Sequence, residues 1–247
     1  MMKRRRFSLL LACAFALAPL GASAQTSPAT PMAMPMGSPS ARPAPTPAPS
    51  PNAAEAAFIK RIMTNLPKRY PTPQAANAAG YKRYSREDRT GAISYVNTQY
   101  WDTTDPDHPA QLWYDVNGRL LGADFSVPQA ESTTGPPNRF GIDPSRWFKL
   151  RAHIHYVQRN PNGTISYGKG MSAEKYGAAN GGDYSHPTAE GLVAAKVVPD
   201  AASVPFVFLY PSIWDVTVWV VPNPLGQFAD ANPAVTPSPN AGRGEDM

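Results

Sequence analysis

The residues of this chain that could do chemistry are few: four histidines, a single cysteine and some acids in apolar surroundings. The informative pair lies in Arg151-Ala152-His153-Ile154-His155-Tyr156. Side chains alternate along an extended strand, so His153 and His155 project from one face, two residues apart. Two imidazoles so placed can grip one divalent metal, as in many β-barrel metalloenzymes. Further donors must come from elsewhere, and His186, Glu190 and Asp215 are the candidates the chain offers. The metal set is therefore His153, His155, His186, Glu190 and Asp215, with a divalent transition metal as the candidate cofactor.

The same alternation argues against a cation. Lys149 and Arg151 fall on the histidine side, whereas Leu150, Ala152, Ile154 and Tyr156 make an apolar opposite side. A metal would sit beside two fixed positive charges, at a Coulomb cost unless carboxylates answer them. An anion such as a carboxylate or phosphate suits that stripe as well, and so does a solvated outer face of an antiparallel sheet. In Asp215-Val216-Thr217-Val218-Trp219, the residues Asp215, Thr217 and Trp219 share a face. Asp215 there can be a ligand, a general base or a sheet-end hydrogen-bonding group. Arg151 and Trp219 are the expected ligand-binding residues beside the pair. His108, in Asp105-Pro106-Asp107-His108-Pro109, reads as a loop residue, and His186 as a helix cap or part of a ligand loop. The sequence contains no GxSxG, HExxH, P-loop, strand-linked GxGxxG or EF-hand loop.

Charge narrows the partners. Lys3, Arg4, Arg5 and Arg6 supply four of the 23 basic residues; without them 19 remain against 18 acidic ones. A nucleic-acid binder needs a concentrated basic surface, and no later charge run provides one. The partner expected is a small molecule or a metal, not nucleic acid; the oligomeric state is left open.

The elements that must position these residues are legible in part. Asn52 and Glu55 have capping-box spacing, and Phe58, Ile59, Ile62, Met63 and Leu66 recur at helical intervals up to Pro67. Thr72, Pro73 and Gly80 predict a second short helix. Gln111 to Val116 and Arg119 to Val127 flank Asn117-Gly118, a strong hairpin signal. Lys149 to Arg159 and Thr164 to Tyr167 flank a longer turn, Asn160-Pro161-Asn162-Gly163. Phe206 to Tyr210 and Asp215 to Val221 read as buried strands, with a helix over Pro187 to Val198 capped near Ser185 or His186. Hairpins dominate over βαβ units, so the fold class is α+β: mainly an antiparallel β-sheet or partial barrel with N-terminal helices packed on it.

Outside this domain the composition changes. Residues 1–24 read as a secretory signal peptide: a basic start, an apolar run from Phe7 to Leu20, and Ala22-Ser23-Ala24 for cleavage. The expected location is periplasmic or secreted, with no stable membrane anchor once the signal is cut. Cleavage there removes Cys13, leaving no disulfide or thiolate site. Residues 25–52 hold nine prolines and one charge, an extended linker. Within it Met32, Met34 and Met36 are either low-complexity composition or soft ligands for Cu(I). The α+β domain is expected over residues 53–235 and a loose tail over 236–247.

Several segments carry a resemblance. Ala75-Ala76-Asn77-Ala78-Ala79-Gly80-Tyr81, Tyr95-Val96-Asn97 and His108-Pro109-Ala110-Gln111-Leu112-Trp113-Tyr114-Asp115 are followed by Val218-Trp219 and Asn223-Pro224-Leu225-Gly226-Gln227-Phe228-Ala229-Asp230-Ala231-Asn232-Pro233. This layout resembles a family of uncharacterised exported bacterial proteins with no established activity. In that pattern a histidine precedes Val-Trp where this chain has Thr217, so a metal site in such relatives would be altered here. The resemblance implies compartment and domain extent, and no reaction. Taken together, the sequence points to a non-catalytic domain that binds a small ligand or metal. The alternatives are a cupin-like metal-dependent enzyme using the histidine pair and a cell-envelope interaction module.

Overall fold

The computed structural model describes residues 46–129 and 135–243, all within a compact unit that spans Pro43–Met247. The expected signal peptide, Cys13 and the Met32-Met34-Met36 cluster lie outside the described residues. No helix among the described residues is long and apolar enough to cross a membrane.

Helix α1 (Ala53–Arg69) begins with the expected box: Asn52 accepts from the Glu55 amide and the Glu55 carboxylate accepts from the Asn52 amide. Glu55 is also almost wholly buried and ion-paired with Arg146, Nε to Oε1 3.1 Å. The helix does not stop at Pro67 but runs two residues beyond it. Helix α2 (Pro73–Ala78) follows, capped by Thr72 and closed by Gly80 at φ +93°. Strands β1 (Lys82–Glu87), β2 (Ile93–Val96), β3 (Gln111–Tyr114) and β4 (Leu120–Pro128) then form an antiparallel meander. The Asn117-Gly118 hairpin joins β3 to β4 as expected. The larger sheet is completed by β9 (Ile213–Trp219) and β5 (Phe148–Leu150), in the order β1-β2-β3-β4-β9-β5. A second sheet has the order β7-β6-β8, from β6 (His153–Arg159), β7 (Ile165–Ser172) and β8 (Phe206–Tyr210). Helices α3 (Ala173–Ala179) and α4 (Ala189–Ala194) come from the second half. The fold is α+β with two antiparallel sheets and no closed barrel.

Hydrophobic patterning sets the layers. Phe58, Ile59, Ile62 and Leu66 of α1 pack on Ala123, Phe125, Val216 and Val218, one face of the larger sheet. Burying each such side chain contributes roughly 1.5–3 kcal/mol. Ile154, Tyr156 and Met171 of the smaller sheet pack on Tyr176 of α3 and Leu192 of α4. The remaining faces of the sheets meet each other through Tyr84, Val96, Phe208, Tyr210 and Ile213.

The segment read as one strand from Lys149 to Arg159 is divided between the sheets. β5 pairs with β9 and β6 pairs with β8, and the same register holds on both sides of the break at Arg151-Ala152 and Pro211-Ser212. The paired strands therefore turn a corner together, with Pro211 unable to donate to a ladder. At that corner the faces exchange. Leu150 and Ile213 pack in the same cluster as Tyr210, while Lys149 lies over the Trp214 ring at 4.6 Å, on the α1 side. Lys149 is consequently not on the histidine face, contrary to simple alternation. The cap of α4 is Thr188, not Ser185 or His186, because the Thr188 hydroxyl accepts from the Gly191 amide. The stretch expected to be a loose tail packs on the first hairpin up to Arg243: the Ser238 amide donates to Glu87 at 2.7 Å and Arg86 donates to the Arg243 carbonyl at 3.2 Å.

Candidate functional site

β6 carries His153 and His155 toward the larger sheet, so the pair looks inward between the sheets and is not a solvated outer face. Their Nε2 atoms are 3.0 Å apart. His155 is buried, its ring 4.7 Å from Tyr84 and stacked on Phe208 at 5.5 Å. His153 is half-buried and stacks on Tyr210 with 4.7 Å between centroids. Its Nδ1 donates to the Arg151 carbonyl at 2.7 Å, which fixes the ring. Burial pushes the His155 imidazole down to about 3; the neighbouring His153 adds to this and the Lys169 backbone opposes it. His155 is therefore neutral in the folded protein.

His153 reaches a cleft of about 710 Å³ whose wall also includes Leu150, Arg151, Ala152, Met171 and Lys175, with Glu174 at the same cleft. Apolar stems, two cationic side chains and one acid thus surround one accessible imidazole. Arg151 is exposed, as a rim residue should be.

Behind the pair runs a polar chain that sequence reading missed. Tyr84 donates to the Gln111 carbonyl oxygen, Gln111 Nε2 donates to the Tyr210 hydroxyl at 2.7 Å, and that hydroxyl donates to Asp215 Oδ2 at 3.4 Å. Ser126 donates to Asp215 Oδ1 at 2.7 Å. Asp215 is fully enclosed on the inner face of β9, directly across from Ser126 of β4. Burial drives its carboxyl up to about 7 against the Ser126 and Tyr210 hydrogen bonds. Asp124, two residues before Ser126 and on the same face, is also pushed well above the usual carboxylate range by burial and by the charge of Asp215. The available signal was parity: Asp124 and Ser126 alternate with the apolar Ala123, Phe125 and Val127.

Of the five metal donors expected, the structure brings together only His153 and His155. Asp215 lies on the larger sheet, held by Ser126 of β4 and Tyr210 of β8. His186 is exposed in a loop, its Nδ1 2.9 Å from the Ser185 hydroxyl, and Glu190 is exposed in the first turn of α4. Among the described residues no group of three or more His, Cys, Asp or Glu is arranged to hold a metal ion. A tetrahedral metal with bonds of about 2.0–2.1 Å would also want the two nitrogens about 3.3 Å apart, slightly wider than they stand. Trp219 does share a face with Asp215 and Thr217, but it does not line the His153 cleft. Its indole N–H donates to the Ala229 carbonyl at 2.7 Å and its ring packs edge-on against Trp113 at 5.6 Å.

Fold and site together define an α+β domain of two facing antiparallel sheets with a histidine pair at the edge of a cleft. No family model, curated protein or solved structure matches the chain.

Proposed function

We propose that the domain is a non-catalytic binding module for a small organic anion, taken up in the cleft at His153 and Arg151. The observation that carries this reading is the 3.0 Å contact between one accessible and one buried imidazole. The Arg151 carbonyl accepts the Nδ1 proton of His153, and the neutral, buried His155 presents its Nε2 3.0 Å from the other nitrogen of that ring. The ring at the cleft wall is thereby held from both sides before a ligand arrives. Arg151 and Lys175 supply positive charge, and Leu150, Ala152 and Met171 suit a ligand with an apolar body. The metal-dependent enzyme is less well supported, since the pair lacks a third donor among the described residues.

The test is calorimetric titration with benzoate and hexanoate. Saturable binding that weakens about tenfold or more in both Arg151→Ala and His153→Gln is expected, as for loss of a charge-assisted hydrogen bond. No saturable binding, or binding unchanged in His153→Gln, overturns the proposal. Stoichiometric zinc bound by the native protein and lost in His153→Gln would return the pair to metal chemistry.

A further inference from the structure

A second cleft, of about 310 Å³, opens at the other end of the inner face of the larger sheet. Its wall includes Trp113, Asp124, Phe148, Thr217 and Trp219, and two more acids, Asp88 and Asp230, with no basic residue among those lining it. We propose that this cleft binds a small organic ammonium ion, with Asp124 as its hydrogen-bonding and charge partner and the surrounding aromatic side chains as its apolar wall.

Asp124 points to a ligand independently of the acidic surroundings. It is only 5% exposed, Oδ2 accepts from the Trp113 indole at 2.9 Å, and Oδ1 is buried with no hydrogen-bond partner. A buried carboxyl oxygen left unpaired is costly, and native structures seldom leave one without a use. The neighbouring groups supply no cation for it. Asp88 is occupied in its own turn, its Oδ1 accepting from the Thr90 and Ala92 amides at 2.8 and 3.0 Å. The other charged or titratable groups acting around Asp124 are Asp215 on β9, Tyr84 on β1 and Tyr210 on β8, and Asp230 lies on the cleft wall. None of these is basic. The carboxyl is therefore held in its neutral form, chiefly by burial.

An ammonium group resolves both problems, donating to Oδ1 and supplying the missing positive charge. Aromatic rings attract such a cation through the negative charge of their faces when these are presented to it. Phe148, 41% exposed, is the most accessible aromatic at the opening. The volume lies at the low end of the range for ligand pockets, roughly 300–1,000 Å³, which limits the occupant to a small amine. A bare metal ion fits less well, because no three of these acids are arranged to chelate one.

The experiment titrates the full-length protein with propylammonium chloride, with sodium chloride at equal ionic strength as the blank. Saturable binding is expected, with proton release visible as a dependence of the calorimetric heat on buffer ionisation enthalpy. Asp124→Asn keeps the shape and should weaken binding at least about tenfold while melting cooperatively. His153→Gln should leave this binding unchanged, which separates the site from the anion cleft. Absence of saturable binding, equal binding by a cooperatively folded Asp124→Asn, or binding of calcium in place of propylammonium overturns the proposal.

Discussion

His153 lies flat against Tyr210, ring centroids 4.7 Å apart and planes within 18°, while the hydroxyl of the same tyrosine points the other way, to Asp215. Tyr210 thus touches both the accessible imidazole and the buried carboxyl. Its two functions can be separated. Tyr210→Phe keeps the ring under His153 but removes the acceptor of Gln111 Nε2 and a donor to Asp215. A loss of about 1–3 kcal/mol in urea-unfolding stability is expected, with carboxylate binding at the cleft little changed. Loss of binding with stability intact would mean that the hydroxyl, not the ring, serves the site.

Glu55 joins the start of α1 to the turn before β5. One carboxylate caps the Asn52 amide, accepts from the Asp143 amide at 3.1 Å and pairs with Arg146. Burial alone would raise its pKa, but the Arg146 and backbone hydrogen bonds outweigh it and hold the carboxyl below its usual value. Glu55→Ala leaves Arg146 buried without its charge partner and should cost about 3–5 kcal/mol, whereas Asn52→Ala loses only a cap, about 1 kcal/mol. Denaturant titration of the two variants checks the ordering.

What the sequence disclosed and what it concealed follow from the range of the interactions. Local rules located α1, α2 and the Asn117-Gly118 hairpin, because capping and turn chemistry act within a few residues. The same rules put Pro67 at a helix end, yet the helix runs on to Arg69 and is closed by the Tyr70 amide on the Leu66 carbonyl. Alternation correctly set His153 beside His155, and Asp215 beside Thr217 and Trp219. It failed for Lys149, since the corner at Arg151-Ala152 is made by pairing with Pro211-Ser212, some 60 residues away. Gln111 and Tyr210 escaped notice for the same reason: each is ordinary in its own strand, and they join a polar chain only when the sheets face each other.

Gly122 records how tightly that inner face is packed. A Cβ at this position would overlap the Trp113 ring and come within 2.8 Å of the Val218 carbonyl. Backbone on one side and an indole fixed by Asp124 on the other leave no room to yield. Gly122→Ala should therefore lose roughly 1–3 kcal/mol or more, although alanine suits a strand better than glycine does. A melting temperature equal to that of the native protein would show that Trp113 moves freely, and would loosen the argument for an ordered Asp124 cleft.

Stability against pH gives the most direct reading of the buried groups, because two of them pull in opposite directions. Asp215 has a folded value near 7 against 3.8 when unfolded, so between about pH 4 and 7 the folded protein keeps a proton that the unfolded chain has released. Stability then falls as pH rises through this window and levels off above it. Asp124, also raised by burial, adds to the same slope. His155 has a folded value near 3 against 6.5, so the unfolded chain binds the extra proton. Its contribution rises with pH from about 3 to 6.5 and is complete above that. Over the shared window the two carboxyls outweigh the one imidazole, so these three groups together leave a net fall in stability with rising pH, and single substitutions should expose each contribution. Relative to the native protein, Asp215→Asn should gain stability steadily from pH 4 to 7, and His155→Phe should gain it as pH falls from 6.5, each by up to a few kcal/mol. Urea unfolding at half-unit pH intervals measures both differences. A pH-independent difference for His155→Phe would mean that the inner imidazole titrates freely, and the asymmetric pair on which the anion cleft depends would not exist.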